Sequence, residues 1–157
     1  MKVFLPILLL VFSLGCAKTT PVVNPQSPQN LFKQVERSIV FIANPEEQSI
    51  CTAFVVNSSK GEALTARHCV GEQKTILVKG EEREVLRTSQ TFALISVPKM
   101  EQPPLDIAES KPQVGDEALA TGYGFGILTA LFGKVAAFSG GDLALDFAVV
   151  PGMSGGP

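Results

Sequence analysis

Gly152-Met153-Ser154-Gly155-Gly156-Pro157 sets one serine among three glycines. Glycine has no Cβ and enters backbone regions that other residues resist, so such a turn can present the serine while the N–H groups of Gly152 and Ser154 aim at one spot. Two convergent donors stabilise an oxyanion, and a hydroxyl beside them becomes a nucleophile once a base takes its proton. The tripeptide alone says little. Ser139-Gly140-Gly141 repeats it just before Asp142, where a hairpin turn is the simpler expectation.

The base has one candidate. The only histidine, His68, stands in Leu64-Thr65-Ala66-Arg67-His68-Cys69, and a second cysteine lies upstream in Ile50-Cys51-Thr52-Ala53-Phe54-Val55-Val56. Taken singly, a histidine beside a buried cysteine is more often a packed core residue, and a glycine-rich end is equally a flexible tail. The three segments in this order carry more than any one of them.

Together they resemble the trypsin/chymotrypsin-like serine proteases over roughly residues 35–157. There Thr-Ala-Ala-His-Cys carries the base, Gly-x-Ser-Gly-Gly-Pro carries the nucleophile, and a disulfide joins the cysteine after the histidine to one in the preceding strand. The resemblance implies an all-β fold of two Greek-key barrels. It also implies His68 as base, Ser154 as nucleophile, Gly152 and Ser154 as oxyanion donors, and a disulfide between Cys51 and Cys69, with Arg67 as the one departure in the histidine motif. Closing that 18-residue separation would contribute ~3 kcal/mol and brace the strand expected to present His68.

The third catalytic position departs further. The family opens a strand with Asp-x-Ala-Leu-Leu, whereas the matching segment here is Thr91-Phe92-Ala93-Leu94-Ile95, so Thr91 takes the aspartate's place. A threonine hydroxyl can accept a hydrogen bond from imidazole but brings no charge to favour imidazolium. In trypsin, loss of that charge lowers turnover ~10⁴-fold, about 5.5 kcal/mol of barrier. Asp106 and Asp116 are other carboxylates, but neither begins the expected strand. Met153 precedes the nucleophile where digestive enzymes carry an aspartate, and a thioether forms no ion pair with a new amino terminus. In this the chain resembles the bacterial Deg-type branch, as it does at Pro151 and at Asp146, for which a structural or subsite role is expected.

The amino terminus bears on compartment. Lys2 is followed by an apolar run over residues 3–14 and then by Gly15-Cys16-Ala17, a length suited to a signal peptide rather than to a ~20-residue membrane span. Leu14-Gly15-Cys16 resembles a lipobox, which implies an acylated Cys16, export to the bacterial cell envelope and membrane attachment through the lipid; ordinary cleavage after Ala17 is the alternative. Of three cysteines, Cys51 and Cys69 then remain as an even pair in an oxidising compartment. Residues 1–16 read as signal peptide and 17–34 as a polar tether, rich in Pro, Asn, Gln, Ser and Thr. Without Lys2 the charges are 12 basic against 15 acidic, which argues against nucleic acid as a partner.

From residue 35 the pattern is one of short β-prone segments at 38–43, 52–56, 62–65, 75–78, 84–87 and 92–97. Six strands suit one small barrel (35–98). A proline-rich linker (99–112) leads to a second unit (113–157) with strands at 117–121, 127–138 and 143–150, about three fewer than the family's second barrel. The expectation is thus an incomplete second barrel, in a fragment of a longer chain or a truncated product. No repeat, phosphate loop, cofactor motif or metal-ligand cluster is found. The implied function is an exported serine endopeptidase homologue acting on protein or peptide substrates, weak or inactive as this chain; the alternative is a non-catalytic binding protein on the same fold.

Overall fold

The computed structural model describes residues 27–99, 104–139 and 142–157. The expected signal peptide, the lipobox expected at Cys16 and most of the expected tether lie outside them.

Apolar residues at alternate positions point to one side of a strand, and five such strands with one more polar strand close the first barrel. β1 (Ile39–Asn44) buries Val40 and Ile42, β2 (Ser49–Asn57) buries Ala53 and Val55, and β3 (Glu62–Ala66) buries Ala63 and Thr65. β4 (Thr75–Val78) adds Ile76 and Val78, and β6 (Phe92–Ser96) adds Ala93 and Ile95. Between them β5 (Glu81–Thr88) exposes Glu81, Glu82 and Glu84 and turns only Arg83 and Val85 inward. The order is β1-β2-β3-β6-β5-β4, antiparallel throughout and closed by Ile42 opposite Val78 and Ala43 opposite Leu77. Each fully buried isoleucine or valine in this core is worth about 1.5–3 kcal/mol over an exposed one.

A one-turn helix, α2 (Arg67–Val70), follows β3 and drops Cys69 and Val70 into the same core. His68 is therefore presented by a helical turn and not by the expected strand: Ala66 is the last extended residue, and the amide of Gly71 closes the turn on the Arg67 carbonyl. Cys51 and Cys69 form a disulfide with Cα atoms 6.0 Å apart.

The second region is an open three-stranded sheet, β7-β8-β9. β7 (Glu117–Gly124) pairs with β8 (Ile127–Ser139) through a tight Phe125-Gly126 turn, and β8 pairs with β9 (Asp142–Leu145) with Ser139 opposite Asp142. Gly140 and Gly141, where a hairpin turn is expected, lie outside the described residues. The last strand ends at Leu145, not near 150. The reason is Asp146, whose carboxylate accepts the Lys134 amide at 2.7 Å where a ladder carbonyl would otherwise stand. This is a double barrel with its second half incomplete.

The two regions meet where β7 packs on β1 and β2. The Tyr123 ring meets Phe41 edge to face with centroids 5.3 Å apart, a geometry worth about 0.5–1.5 kcal/mol beyond its area. Residues 28–34, expected from sequence to be tether, form α1 (Pro28–Val35) together with Val35, the expected first residue of the barrel. Its start is conventional: Pro28 is the first helical residue and the Ser27 hydroxyl accepts the Asn30 amide. No residue of α1 is fully buried. Among the described residues no helix is long and apolar enough to cross a membrane.

Candidate active site

Ser154 is exposed on a loop that the rest of the molecule grips by its carbonyl groups. Gly152 and Gly155 have φ of 94° and 81°, left-handed values that a side chain resists. A Cβ on Gly152 would also strike the Tyr123 carbonyl, and one on Gly155 the Thr65 hydroxyl and Thr52 carbonyl. The motif's glycines thus answer both backbone conformation and close packing.

Each carbonyl from Pro151 to Ser154 has a donor. Phe125 N–H donates to Pro151 O at 2.8 Å, the Thr52 hydroxyl to Gly152 O at 2.8 Å, Gly156 N–H to Met153 O at 2.9 Å and Thr52 N–H to Ser154 O at 2.8 Å. Every peptide bond here is trans, so an N–H points opposite to the carbonyl that shares its plane. Anchoring Pro151 O and Met153 O therefore restrains the planes that carry the Gly152 and Ser154 N–H groups. Among the described residues neither of these two amides donates a hydrogen bond. Met153, only 5% exposed, is the inward-facing residue of the loop and packs against Gly122.

The same loop lies against the histidine segment. The Ser154 carbonyl oxygen is 3.5 Å from Cys69 Sγ; a disulfide sulfur has no proton to donate, so this is a packing contact. The His68 ring lies within 4.8 Å of the Cys51 and Cys69 sulfurs. Those sulfurs are bonded to each other and hold no thiolate charge for a metal ion. Ser154, through its carbonyl, and His68, through its ring, thus both lie against the disulfide, from exposed positions 86 residues apart in sequence.

Thr91 reaches the other side of α2. Its carbonyl accepts the Arg67 amide at 2.8 Å, continuing the β3–β6 register one step beyond the Ala66–Phe92 pair. Thr91, His68, Arg67, Gly71, Glu72 and Gln90 line one open cleft of about 530 Å³. No hydrogen bond joins the Thr91 hydroxyl to His68. Arg67 forms an exposed ion pair with Glu72 at 2.6 Å, an interaction worth at most about 1 kcal/mol.

Asp106 and Asp116 stay away from this cleft. Asp106 borders a separate depression with Lys33 and Arg37, and the Asp116 carboxylate accepts the Gln113 amide at 2.7 Å in a local turn. Asp146 is engaged with the Lys134 amide, in keeping with a structural role. Two residues of the site were not anticipated. Glu72, four residues after His68, is the one carboxylate lining its cleft, and Thr52 is the anchor of the serine loop.

Solved structures share this architecture. A serine endoprotease from Yersinia pestis is 22% identical and matches 84% of this chain and 53% of its own, with a TM-score of 0.71. The HtrA-type protease AlgW, determined with a tripeptide, is 22% identical over 83% of this chain and 50% of its own, with a TM-score of 0.70. An inactive-form mutant protease from M. tuberculosis is 23% identical over 87% and 77%, with a TM-score of 0.67. The chain thus spans about half the length of the first of these. None of the curated proteins matches it in sequence. The family model of the trypsin-like peptidase domain matches residues 51–157, a stretch that takes in the disulfide, His68, Thr91 and the serine loop; this chain belongs to the trypsin-like peptidase domain family.

Proposed function

We propose that this serine peptidase homologue is an exported, lipid-anchored protein that cleaves peptide bonds through Ser154 and His68, slowly because Thr91 stands in place of an aspartate. Ser154 Oγ attacks the peptide carbonyl carbon as His68 takes its proton, and the N–H groups of Gly152 and Ser154 receive the oxyanion. His68 then protonates the leaving amine, and water releases the acyl group by the reverse proton movement. The observation that carries this reading is the serine loop, with its four carbonyls engaged, two amides free to donate, and its serine exposed beside the histidine segment.

Thr91 sets the expected rate. Its backbone holds the Arg67 amide, but its side chain offers no charge to the imidazolium, which leaves a deficit of about 5 kcal/mol in transition-state stabilisation. The test is labelling of Ser154 by a fluorophosphonate probe, with peptide hydrolysis measured alongside. We expect slow labelling, none in Ser154→Ala, and a rise of up to ~10⁴-fold in turnover in Thr91→Asp. Absence of labelling in both the native chain and Thr91→Asp would favour a binding protein on the peptidase fold, the reading to which the uncharged Thr91 also lends itself.

Export and anchoring rest on residues 1–16. An intact-mass measurement on the processed protein is expected to show an acylated chain beginning at Cys16, and an unmodified chain beginning at Lys18 would reject the anchor. The substrate is taken to be protein or peptide, with no cofactor and no nucleic acid.

A further inference from the structure

Thr52 reads from sequence as one more β-branched strand residue. In the fold it is fully buried, and its backbone and side chain bind three separate parts of the molecule. Its carbonyl accepts the Thr65 hydroxyl at 2.7 Å from β3. Its hydroxyl accepts the Tyr123 amide at 2.8 Å from β7. That same hydroxyl donates to Gly152 O at 2.8 Å, and its amide donates to Ser154 O at 2.8 Å. Thr52 therefore grips the serine loop on both sides of Met153, while standing next to Cys51 of the disulfide.

The position of the Gly152 carbonyl gives this grip its meaning. The peptide joining Gly152 to Met153 lies between the two peptides that carry the Gly152 and Ser154 N–H groups, so its orientation sets the angle between those donors. At Gly152, where no Cβ restrains the torsions, that peptide can turn over readily. The hydrogen bond from Thr52 Oγ1 opposes this. We propose that Thr52 is a positioning residue for the reaction of Ser154: its hydroxyl, itself oriented by the Tyr123 amide, locks the link between the two oxyanion donors and couples their geometry to the packing of β7 on the first barrel. This rests on the peptidase reading above. Oxyanion stabilisation depends on donors held in place before the charge develops, so loosening one linking peptide weakens both at once.

Thr52→Val keeps size and β-branching but removes both hydrogen bonds of the hydroxyl, and Thr52→Ser keeps the hydroxyl. The rate of Ser154 labelling by a fluorophosphonate, which needs the oxyanion donors, is measured beside acylation of His68 by diethyl pyrocarbonate, which does not. The expected result is labelling at least tenfold slower in Thr52→Val, within threefold of native in Thr52→Ser, and His68 acylation unchanged in both. Native labelling in a folded Thr52→Val would overturn the positioning role and leave the peptidase reading intact, whereas no labelling of Ser154 in the native chain would overturn that reading and this role with it. Should Thr52→Val not fold, Thr52→Ala takes its place. Loss of folding in both hydroxyl-free variants, with Thr52→Ser folded, would show that the hydroxyl serves the fold alone and would also overturn the proposal.

Discussion

The closed barrel and the open sheet reach their order by different means. In the barrel, every strand has two neighbours and buried aliphatic side chains meet from all sides, with Ile42, Val55 and Ile95 fully enclosed. The sheet has three strands, and its apolar side chains are largely in water: Phe125 is 70% exposed, Ile127 72% and Phe132 42%. Glycines aside, its buried positions among the described residues are Thr121 in β7, Val135 in β8 and Met153 in the serine loop. Half of the candidate site thus stands on a self-sufficient core, and the other half on a sheet that leans against it. The serine loop is held less by apolar burial than by directed hydrogen bonds, three of them from Thr52 and Phe125.

The contrast can be broken by comparing truncations in the two regions. Ile42→Ala removes a fully buried side chain between β2 and β4 and is expected to destabilise by about 4 kcal/mol in urea unfolding. Phe132→Ser, on the sheet, should cost below 1 kcal/mol, since much of the ring is already hydrated. Equal costs would mean that barrel and sheet share one core, and the distinction would fall.

An intermediate effect is expected from the disulfide. Cys51→Ser with Cys69→Ser should lower stability by about 3 kcal/mol in the chain-entropy account, read as a lower urea midpoint. The same variant should lower peptidase turnover beyond the stability loss, because both the histidine segment and the serine loop rest on that bridge. Unchanged turnover in the folded variant would show that the barrel alone positions His68.

Hydrogen exchange sharpens the comparison without mutation. Amides in the β1–β2 and β3–β6 ladders should be protected to near the global unfolding limit, while those of β8 facing β9 exchange by local opening. The smallest effect belongs to Glu72→Gln, which removes an exposed ion pair with Arg67 and should change stability by less than about 1 kcal/mol. A marked fall in Ser154 labelling in that variant would instead assign Glu72 a part in orienting His68.

Much of the barrel is legible in the sequence. Ile76 and Val78, or Ala93 and Ile95, alternate with less buried neighbours, and such short segments read directly as strands. The closure of β1 on β4 is not written locally, since the pairing of Ile42 with Val78 depends on the whole circuit of strands. Helix α1 is harder to read: Ser27 and Pro28 form an ordinary helix start and Leu31, Phe32 and Val35 fall at helical spacing, but this two-turn stripe is short and set among polar residues that resemble a tether. The end of the last strand is not legible, because Asp146 reads as one more polar position of a strand whereas its carboxylate accepts the Lys134 amide. At the site, the serine and histidine motifs are local and were readable. Thr52 was not, because its meaning lies in a partner 100 residues away, and a threonine in a strand needs no other explanation.

The disulfide also bears on what happens when the chain itself is cut. The turn at residues 58–61 between β2 and β3 exposes Ser59 and Lys60, and any peptidase that accepts a basic residue could sever it. Cys51 and Cys69 bracket that turn, so a cut there leaves one covalent molecule, with Thr52 on one piece and His68 and Ser154 on the other. Such a nicked protein would migrate as intact until a reductant separated its pieces, and in an oxidising compartment the damage would stay hidden.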